Sequence, residues 1–184
     1  MGPDTIASLS LVGFFAAEML RRGASARSLA QRPTDRGTTL LIVVAQAVAI
    51  LALVAHVLGG PPVSPVLQWV GALAAWGGIA LRVWAMRVLG QFYTRTLLTV
   101  PDQPVIQHGP YRWVRHPGYA GALLTWCGAV TVAGRGAAVL LVAALLIGAY
   151  WTRIVAEERM LVGALGEAYR TYQARTRRLV PFLV

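Results

Sequence analysis

The sequence predicts an all-α integral membrane protein with five transmembrane helices and a C-terminal amphipathic helix lying at the interface. Three observations carry that expectation. Hydrophobic residues make up 57% of the 184 and charged residues only 13%, where an ordinary soluble domain is about a quarter charged, and the mean hydropathy is +0.59. The apolar residues fall into long runs instead of scattering, which suits several spans of ~20 residues each and leaves no room for a large extramembrane domain. All 17 basic residues are arginine, and they cluster between runs.

The spans are expected at about 5–20, 38–58, 66–89, 118–133 and 137–152, within a single membrane domain covering 1–184. The first is short and followed at once by Arg21 and Arg22; Asp4 precedes it and no basic segment does, the reverse of a secretory signal peptide. Span two is nearly free of polar groups. Gly59-Gly60-Pro61-Pro62-Val63-Ser64-Pro65 cannot continue a helix, so span three turns back beside span two. Gly134-Arg135-Gly136 permits only a tight helical hairpin, making spans four and five antiparallel neighbours. Beyond span five, Val155, Val162, Leu165, Tyr169 and Tyr172 keep a helical spacing among polar residues. The reading is one helix running on from span five into the interface, with arginines that suit the headgroups of anionic membrane lipids.

Arginine placement sets the orientation, since basic residues concentrate on the cytoplasmic side. Five lie in the first loop, five around the end of span three and the third loop, six in the tail, and only Arg135 falls on the other side. The N-terminus is therefore expected outside and the C-terminus in the cytoplasm. The same split accounts for the net charge of +10 without a nucleic-acid partner. The lone Cys127 excludes an internal disulfide, and no metal site is expected.

Chemistry is expected in two polar segments, about 90–119 and 153–182. Gly109-Pro110-Tyr111-Arg112-Trp113-Val114-Arg115-His116-Pro117-Gly118-Tyr119 packs two arginines, a histidine and three aromatics directly before span four. Pro117 suits a first helical turn, Gly118 lets a ligand approach the backbone, and unbonded N–H groups at a helix start attract electron-rich groups. An aromatic and arginine belt alone would have a similar composition. At the end of span five, Arg153 and Glu157 share a helix face at i and i+4, with Glu158 beside them. Ionisable groups at membrane depth are costly and usually face a cavity or a partner.

Taken together and in this order, these residues resemble the isoprenylcysteine carboxyl methyltransferase family. Its pattern G-P-Y-R-x-x-R-H-P-x-Y reads here from Gly109 to Tyr119, R-x-x-x-E-E is Arg153, Glu157 and Glu158, and G-x-x-Y-x-x-Y is Gly166, Tyr169 and Tyr172; a basic Pro-Phe ending follows at Arg177-Arg178-Leu179-Val180-Pro181-Phe182. The likeness covers roughly Gly90 to the C-terminus. It implies a membrane methyltransferase that holds S-adenosyl-L-methionine in a cytoplasmic pocket and takes a lipophilic small molecule or prenylated substrate from the bilayer. The cofactor positions it implies are Gln103, Pro104, Val105, Ile106, Tyr111, His116, Pro117, Gly118, Tyr119 and Glu157. Arg153 falls on the substrate-binding, catalytic arginine. Gly118 stands where the family commonly has serine, and Gln103 to Ile106 is less polar than usual. Glu158, His108 and Arg115 receive no role.

The acceptor implied is the carboxylate of an isoprenylcysteine-like or other isoprenoid-type acid, with a small lipophilic thiol or amine as the alternative. The all-arginine, alanine-rich composition points to a bacterial inner membrane. Two rivals of other classes are an NADPH-dependent membrane reductase, disfavoured by Arg153-x-x-x-Glu157-Glu158, and a non-catalytic membrane adaptor, which gives no reason for Tyr111, His116 and Glu157 to converge. Among the other polar residues, His56 reads as a packing or interfacial residue, Glu18 as a partner of Arg21 or Arg22, and the tryptophans as belt residues. Ala74 and Gly78 permit a close helix contact.

Overall fold

A computed structural model describes residues 37–57, 64–93, 103–133 and 136–180. Among these, five α-helices account for the architecture: α1 (Thr38–Val57), α2 (Pro65–Leu89), α3 (Pro117–Ala133), α4 (Gly136–Leu165) and α5 (Glu167–Arg175), with single 3-10 turns at Gly90–Phe92 and Gly109–Arg112. Helices thus stand at the second to fifth expected segments, within a residue or two at every edge except the end of the last. The span expected at about 5–20 lies outside the described residues, as do residues 58–63 and 134–135 of the two turns.

The helix boundaries follow from local chemistry. Ser64 accepts a hydrogen bond from the Leu67 N–H at 3.4 Å and Pro65 fills the first position of α2, where a missing N–H costs nothing. Gly90, at φ +54°, closes that helix with its N–H on the Met86 carbonyl. The single helix expected from span five through Arg175 is instead two. Gly166 takes φ +58° and donates to the Val162 carbonyl. Such a left-handed residue ends a helix and redirects the chain. The periodicity expected for one helix survives the break, because Tyr169 and Tyr172 still line the buried face of α5. That face packs on protein.

The helices pair as α2 with α3 and α1 with α4, while α3 also contacts α4. Expecting α1 beside α2 as a hairpin was a misreading; the side chains at each seam decide otherwise. Along α2 and α3 the backbones nearly touch. A Cβ on Gly78 would lie 2.5 Å from the Gly121 carbonyl oxygen and the Thr125 nitrogen, and one on Gly128 would lie 2.5 Å from the Ala75 nitrogen. Matching Gly71 to Gly128, Gly78 to Gly121 and Arg82 to Gly118 makes this pair antiparallel. Gly78 takes part as expected, whereas Ala74 is only half-buried and Ala75 and Gly71 form the seam with it. Small residues allow such close approach between membrane helices.

The apolar core lies between α1, α3 and α4, where Ala49, Ala122, Trp126, Val142 and Leu146 are buried together. Outward, Leu40, Val66, Leu73 and Leu140 are 66–74% exposed. Two helical stretches, Pro65–Phe92 and Val139–Leu165, are long and apolar enough to cross a membrane, yet only 28% and 33% of their most apolar windows are buried. A core helix of a soluble protein would be mostly buried, so this exposed apolar coat fits lipid contact. At 1.5 Å per residue α4 is about 45 Å long, and Arg153 lies about 26 Å from its start. Against a hydrocarbon core of about 30 Å, this places Arg153 near one edge and the last turns beyond it.

Candidate active site

Two adjacent carboxylates on α4 organise this edge of the molecule. Successive helix residues point about 100° apart, so Glu157 and Glu158 meet different neighbours. Glu157 Oε2 accepts a 2.7 Å hydrogen bond from the Tyr119 hydroxyl of α3, and that hydroxyl accepts one from Arg153 Nε at 3.3 Å. Arg153 and Glu157 are thus joined through Tyr119 instead of by a direct ion pair. Arg153 is 3% exposed, and its Nη1 donates to the hydroxyls of Thr38 and Thr39 at 3.0 Å each. The Tyr119 ring stacks on His116 and tilts against Tyr150, with centroids 5.6 and 5.2 Å apart. Gln46 of α1 donates to the Tyr150 hydroxyl at 3.2 Å. These polar groups of α1, α3 and α4 bond one another at the α1–α4 seam.

Glu158 is held by two arginines and faces a histidine. Arg115 Nε donates to Oε1 at 2.8 Å, Arg178 donates to Oε2 from Nε and Nη2 at 3.0 and 2.9 Å, and His116 Nε2 lies 3.4 Å from Oε1. Arg115 also donates from Nη1 to the Gln173 carbonyl at 3.0 Å and to the Thr176 carbonyl. These side chains fasten the tail, and the backbone completes the join. Arg115 N–H donates to Arg177 O at 2.7 Å and His116 N–H to Arg178 O at 3.0 Å, around a parallel bridge between Val114 and Arg177. From α5, the buried Tyr172 hydroxyl donates to the Tyr111 carbonyl at 2.7 Å. Burial pushes the Tyr172 phenol up to about 12, so it stays a donor throughout the ordinary pH range.

The chain between Trp113 and Tyr119 is therefore held from three sides before α3 begins. Pro117 sits at the first position of α3. The Gly118 carbonyl accepts from Arg82 Nη1 at 2.8 Å, and Arg82 Nη2 reaches the Tyr93 hydroxyl at 3.3 Å. Among the described residues a Cβ on Gly118 would find only Arg82 Nη1, at 3.9 Å, which leaves this backbone approachable.

Of the residues expected at the cofactor, the structure brings His116, Pro117, Gly118, Tyr119 and Glu157 together, with Arg153 one helical turn away. Tyr111 is buried beneath the loop with its hydroxyl donating to the Ala85 carbonyl at 3.4 Å, and burial raises its pKa well above the usual phenol value. Gln103, Pro104, Val105 and Ile106 run as half-buried or exposed irregular chain. No hydrogen bond between described residues ties Pro104, Val105 or Ile106 to the cluster. Three features escaped sequence reasoning: the Thr38–Thr39 hydroxyls, the Gln46–Tyr150 pair, and the clamp of Arg115 and Arg178 on Glu158. The arginine topology offered one usable signal, since it already put residue 38 on the same side as Arg153.

One acceptor of this cluster is open to a donor group of a ligand. Among the described residues Glu157 Oε1 has no hydrogen-bond partner and the side chain is half-buried, leaving a carboxylate oxygen for amino or hydroxyl groups. Tyr119, which bonds the same carboxylate, adjoins the approachable Gly118 backbone. No group of three or more candidate metal ligands occurs among the described residues.

Known proteins bear on the same segments. Residues 71–163, about half the chain, match the sequence model of the isoprenylcysteine carboxyl methyltransferase (ICMT) family. A protein-S-isoprenylcysteine O-methyltransferase of Schizosaccharomyces pombe is 29% identical over 58% of this chain and 46% of its own length. A methanethiol S-methyltransferase of a Pseudomonas species is 33% identical over 62% of this chain and 44% of its own. The structure of a eukaryotic intramembrane Ras methyltransferase, an isoprenylcysteine carboxyl methyltransferase, superposes with a TM-score of 0.60 at 23% identity, covering 77% of this chain and 52% of that one, a likeness of fold. The chain spans about half the length of these relatives.

Proposed function

This chain belongs to the isoprenylcysteine carboxyl methyltransferase family, and from that premise we propose that it is a membrane-embedded, S-adenosyl-L-methionine-dependent methyltransferase acting on a lipophilic acceptor drawn from the bilayer. The observation that carries the reading is the Arg153–Tyr119–Glu157 relay at one edge of the bundle. It sets a buried cation and an available carboxylate side by side, held by one hydroxyl.

In this reading Glu157 takes the amino or ribose hydroxyl groups of the methyl donor. His116, Pro117, Gly118 and Tyr119 border it, with Tyr111 and Gln103 to Ile106 completing that side. Bound S-adenosyl-L-methionine supplies an electrophilic methyl on a sulfonium. The protein's part is to position the acceptor in line and to exclude water. A carboxylate acceptor is already ionised at pH 7 and needs no base; in this reading Arg153 orients it by a charge-assisted contact. The cationic Arg153 favours an anionic acceptor, the carboxylate of an isoprenylcysteine-like or other isoprenoid-type acid. The name of the Pseudomonas relative supports a second reading, methylation of a small thiol.

The matching topology is five spans in a bacterial inner membrane, N-terminus outside and C-terminus cytoplasmic, with the cluster on the cytoplasmic side. The acceptor is tested with purified protein in detergent, donor labelled in the methyl group, and a panel of lipophilic carboxylates, thiols and amines. Label entering the carboxylates as base-labile ester supports the main reading; label entering only thiols supports the second. Transfer to none of them would contradict both.

A further inference from the structure

We infer that the outer face of α2, from Trp76 to Arg87, is a docking groove for one anionic phospholipid, with an acyl chain along its apolar wall and the phosphate on Arg87 and Arg112. The inference is independent of the methyltransferase reading and uses no residue of the Arg153–Tyr119–Glu157 cluster.

Trp76, Ala80, Val83, Trp84 and Arg87 recur at helical spacing along one stripe of α2 and, with Ile79, line an open groove of about 370 Å³. Ala80 forms a notch in it: Trp76 and Trp84 stand about one turn to either side, and all three are exposed. Ile79 and Val83 make the floor, packed against the apolar core. At 1.5 Å per residue Trp76 lies about 16 Å and Arg87 about 33 Å from the start of α2. Against a hydrocarbon core of about 30 Å, the groove runs from mid-bilayer to the headgroup level, the depth of one leaflet.

The polar end of the groove is built from two elements. The turn Gly109–Arg112 packs on the last turns of α2, with the Tyr111 hydroxyl on the Ala85 carbonyl. It brings Trp113 edge-on to Trp84, ring centroids 6.2 Å apart, and the Arg112 guanidinium lies 3.8 Å over the Trp113 ring. Arg87 and Arg112 are both exposed. The carboxylates among the described residues are engaged elsewhere, Glu157 by Tyr119, Glu158 by Arg115 and Arg178, and Glu167 by Arg170. Two cations thus stand at the depth of the lipid phosphates, and a guanidinium recognises phosphate oxygens by paired N–H bonds. A zwitterionic headgroup would bring its ammonium up to two arginines; an anionic one brings none. An aromatic and arginine belt attracts by charge and amphipathicity alone, whereas a notched groove also selects by shape.

The test titrates purified protein in detergent with dioleoyl phosphatidylglycerol or dioleoyl phosphatidylcholine and counts bound lipid by native mass spectrometry. One phosphatidylglycerol is expected to stay on the wild-type chain after looser lipids are stripped, and phosphatidylcholine is not. Arg87→Gln with Arg112→Gln should weaken that binding by about tenfold or more. Ala80→Phe, which fills the notch and keeps every charge, should weaken it several-fold. Arg159→Gln removes an exposed arginine from the end of α4 and should leave it unchanged. An equal loss in Arg159→Gln, or full binding in Ala80→Phe, would reduce the groove to an unselective basic surface and overturn the inference. Equal retention of the two lipids would do the same, as would oleate binding as tightly as phosphatidylglycerol or a second copy of the chain covering the groove in a concentration-dependent dimer. Thermal melting in the same detergent checks that each variant is folded; should one groove variant not fold, the other decides alone.

Discussion

The two helix seams of this bundle are built on opposite principles. Between α2 and α3 the contact is nearly backbone on backbone, with Gly71, Gly78, Gly121 and Gly128 each leaving no room for a Cβ. Between α1 and α4 the join is polar: Thr38 and Thr39 on Arg153, and Gln46 on Tyr150. A close-packed seam tolerates almost no displacement and makes a rigid frame. One closed by a few directional bonds gives a site its specificity, because each bond can be lost or exchanged singly. The cluster of Tyr119, Arg153 and Glu157 sits where the frame, through the α3 start fixed by Arg82, meets the polar seam.

The strongest way to break this division lies in the clamp that ties the tail to the frame. Glu158 is 5% exposed and held by two arginines. Removing one member of a buried ion pair typically costs 3–5 kcal/mol. Glu158→Ala is therefore expected to lose about 3–5 kcal/mol of stability, read as a lowered thermal midpoint and faster proteolysis of the tail. A variant as stable as wild type would show that the clamp does not hold the loop.

Next in size come the seam glycines. Gly78→Ala puts a methyl 2.5 Å from two backbone atoms of α3, and the forced separation should destabilise by about 1–3 kcal/mol. Its neighbour is the control: among the described residues nothing lies within 4 Å of a Cβ on Gly77, so Gly77→Ala should be neutral or gain up to about 1 kcal/mol from helix propensity. Similar effects at both positions, measured by thermal melting in one detergent, would contradict the close-packed seam.

On the polar seam the effects should appear in function more than in stability. Arg153→Lys keeps the charge but loses the planar fork, and is expected to lower turnover of a carboxylate acceptor by about tenfold while donor affinity holds. Were Arg153 only a structural partner of α1 and α3, the substitution would lower stability and leave the turnover of folded protein alone.

How far all this was legible in the sequence depends on how local the cause is. Helix edges at Pro65, Gly90 and Pro117 are written in residues that cap or break helices, and each lies within a residue of the expected position. The pairing of Arg153 with Glu157 was half legible: i, i+4 spacing put them on one face, but the intervening Tyr119 hydroxyl comes from another helix. The resemblance singled out Glu157 and gave Glu158 no role, since the part of Glu158 depends on which neighbours stand about 100° further round. The parallel bridge from Val114 to Arg177 joins segments far apart in the chain and has no local signature. Nor does the pairing of α1 with α4, which depends on glycines that commit α2 to α3. Gly166 was quoted as part of a motif; its part in ending α4 shows only in its positive φ.

The most direct measurement of the central claim is calorimetric titration of the purified protein in detergent with S-adenosylhomocysteine and, separately, with NADPH, repeated for Glu157→Ala and His116→Ala. Saturable binding of S-adenosylhomocysteine and none of NADPH is expected. Each variant, still folded, should bind about ten- to a hundred-fold more weakly, the loss of one charge-assisted hydrogen bond. Binding of NADPH in place of S-adenosylhomocysteine, or undiminished affinity in both variants, would contradict the site and the chemistry assigned to it.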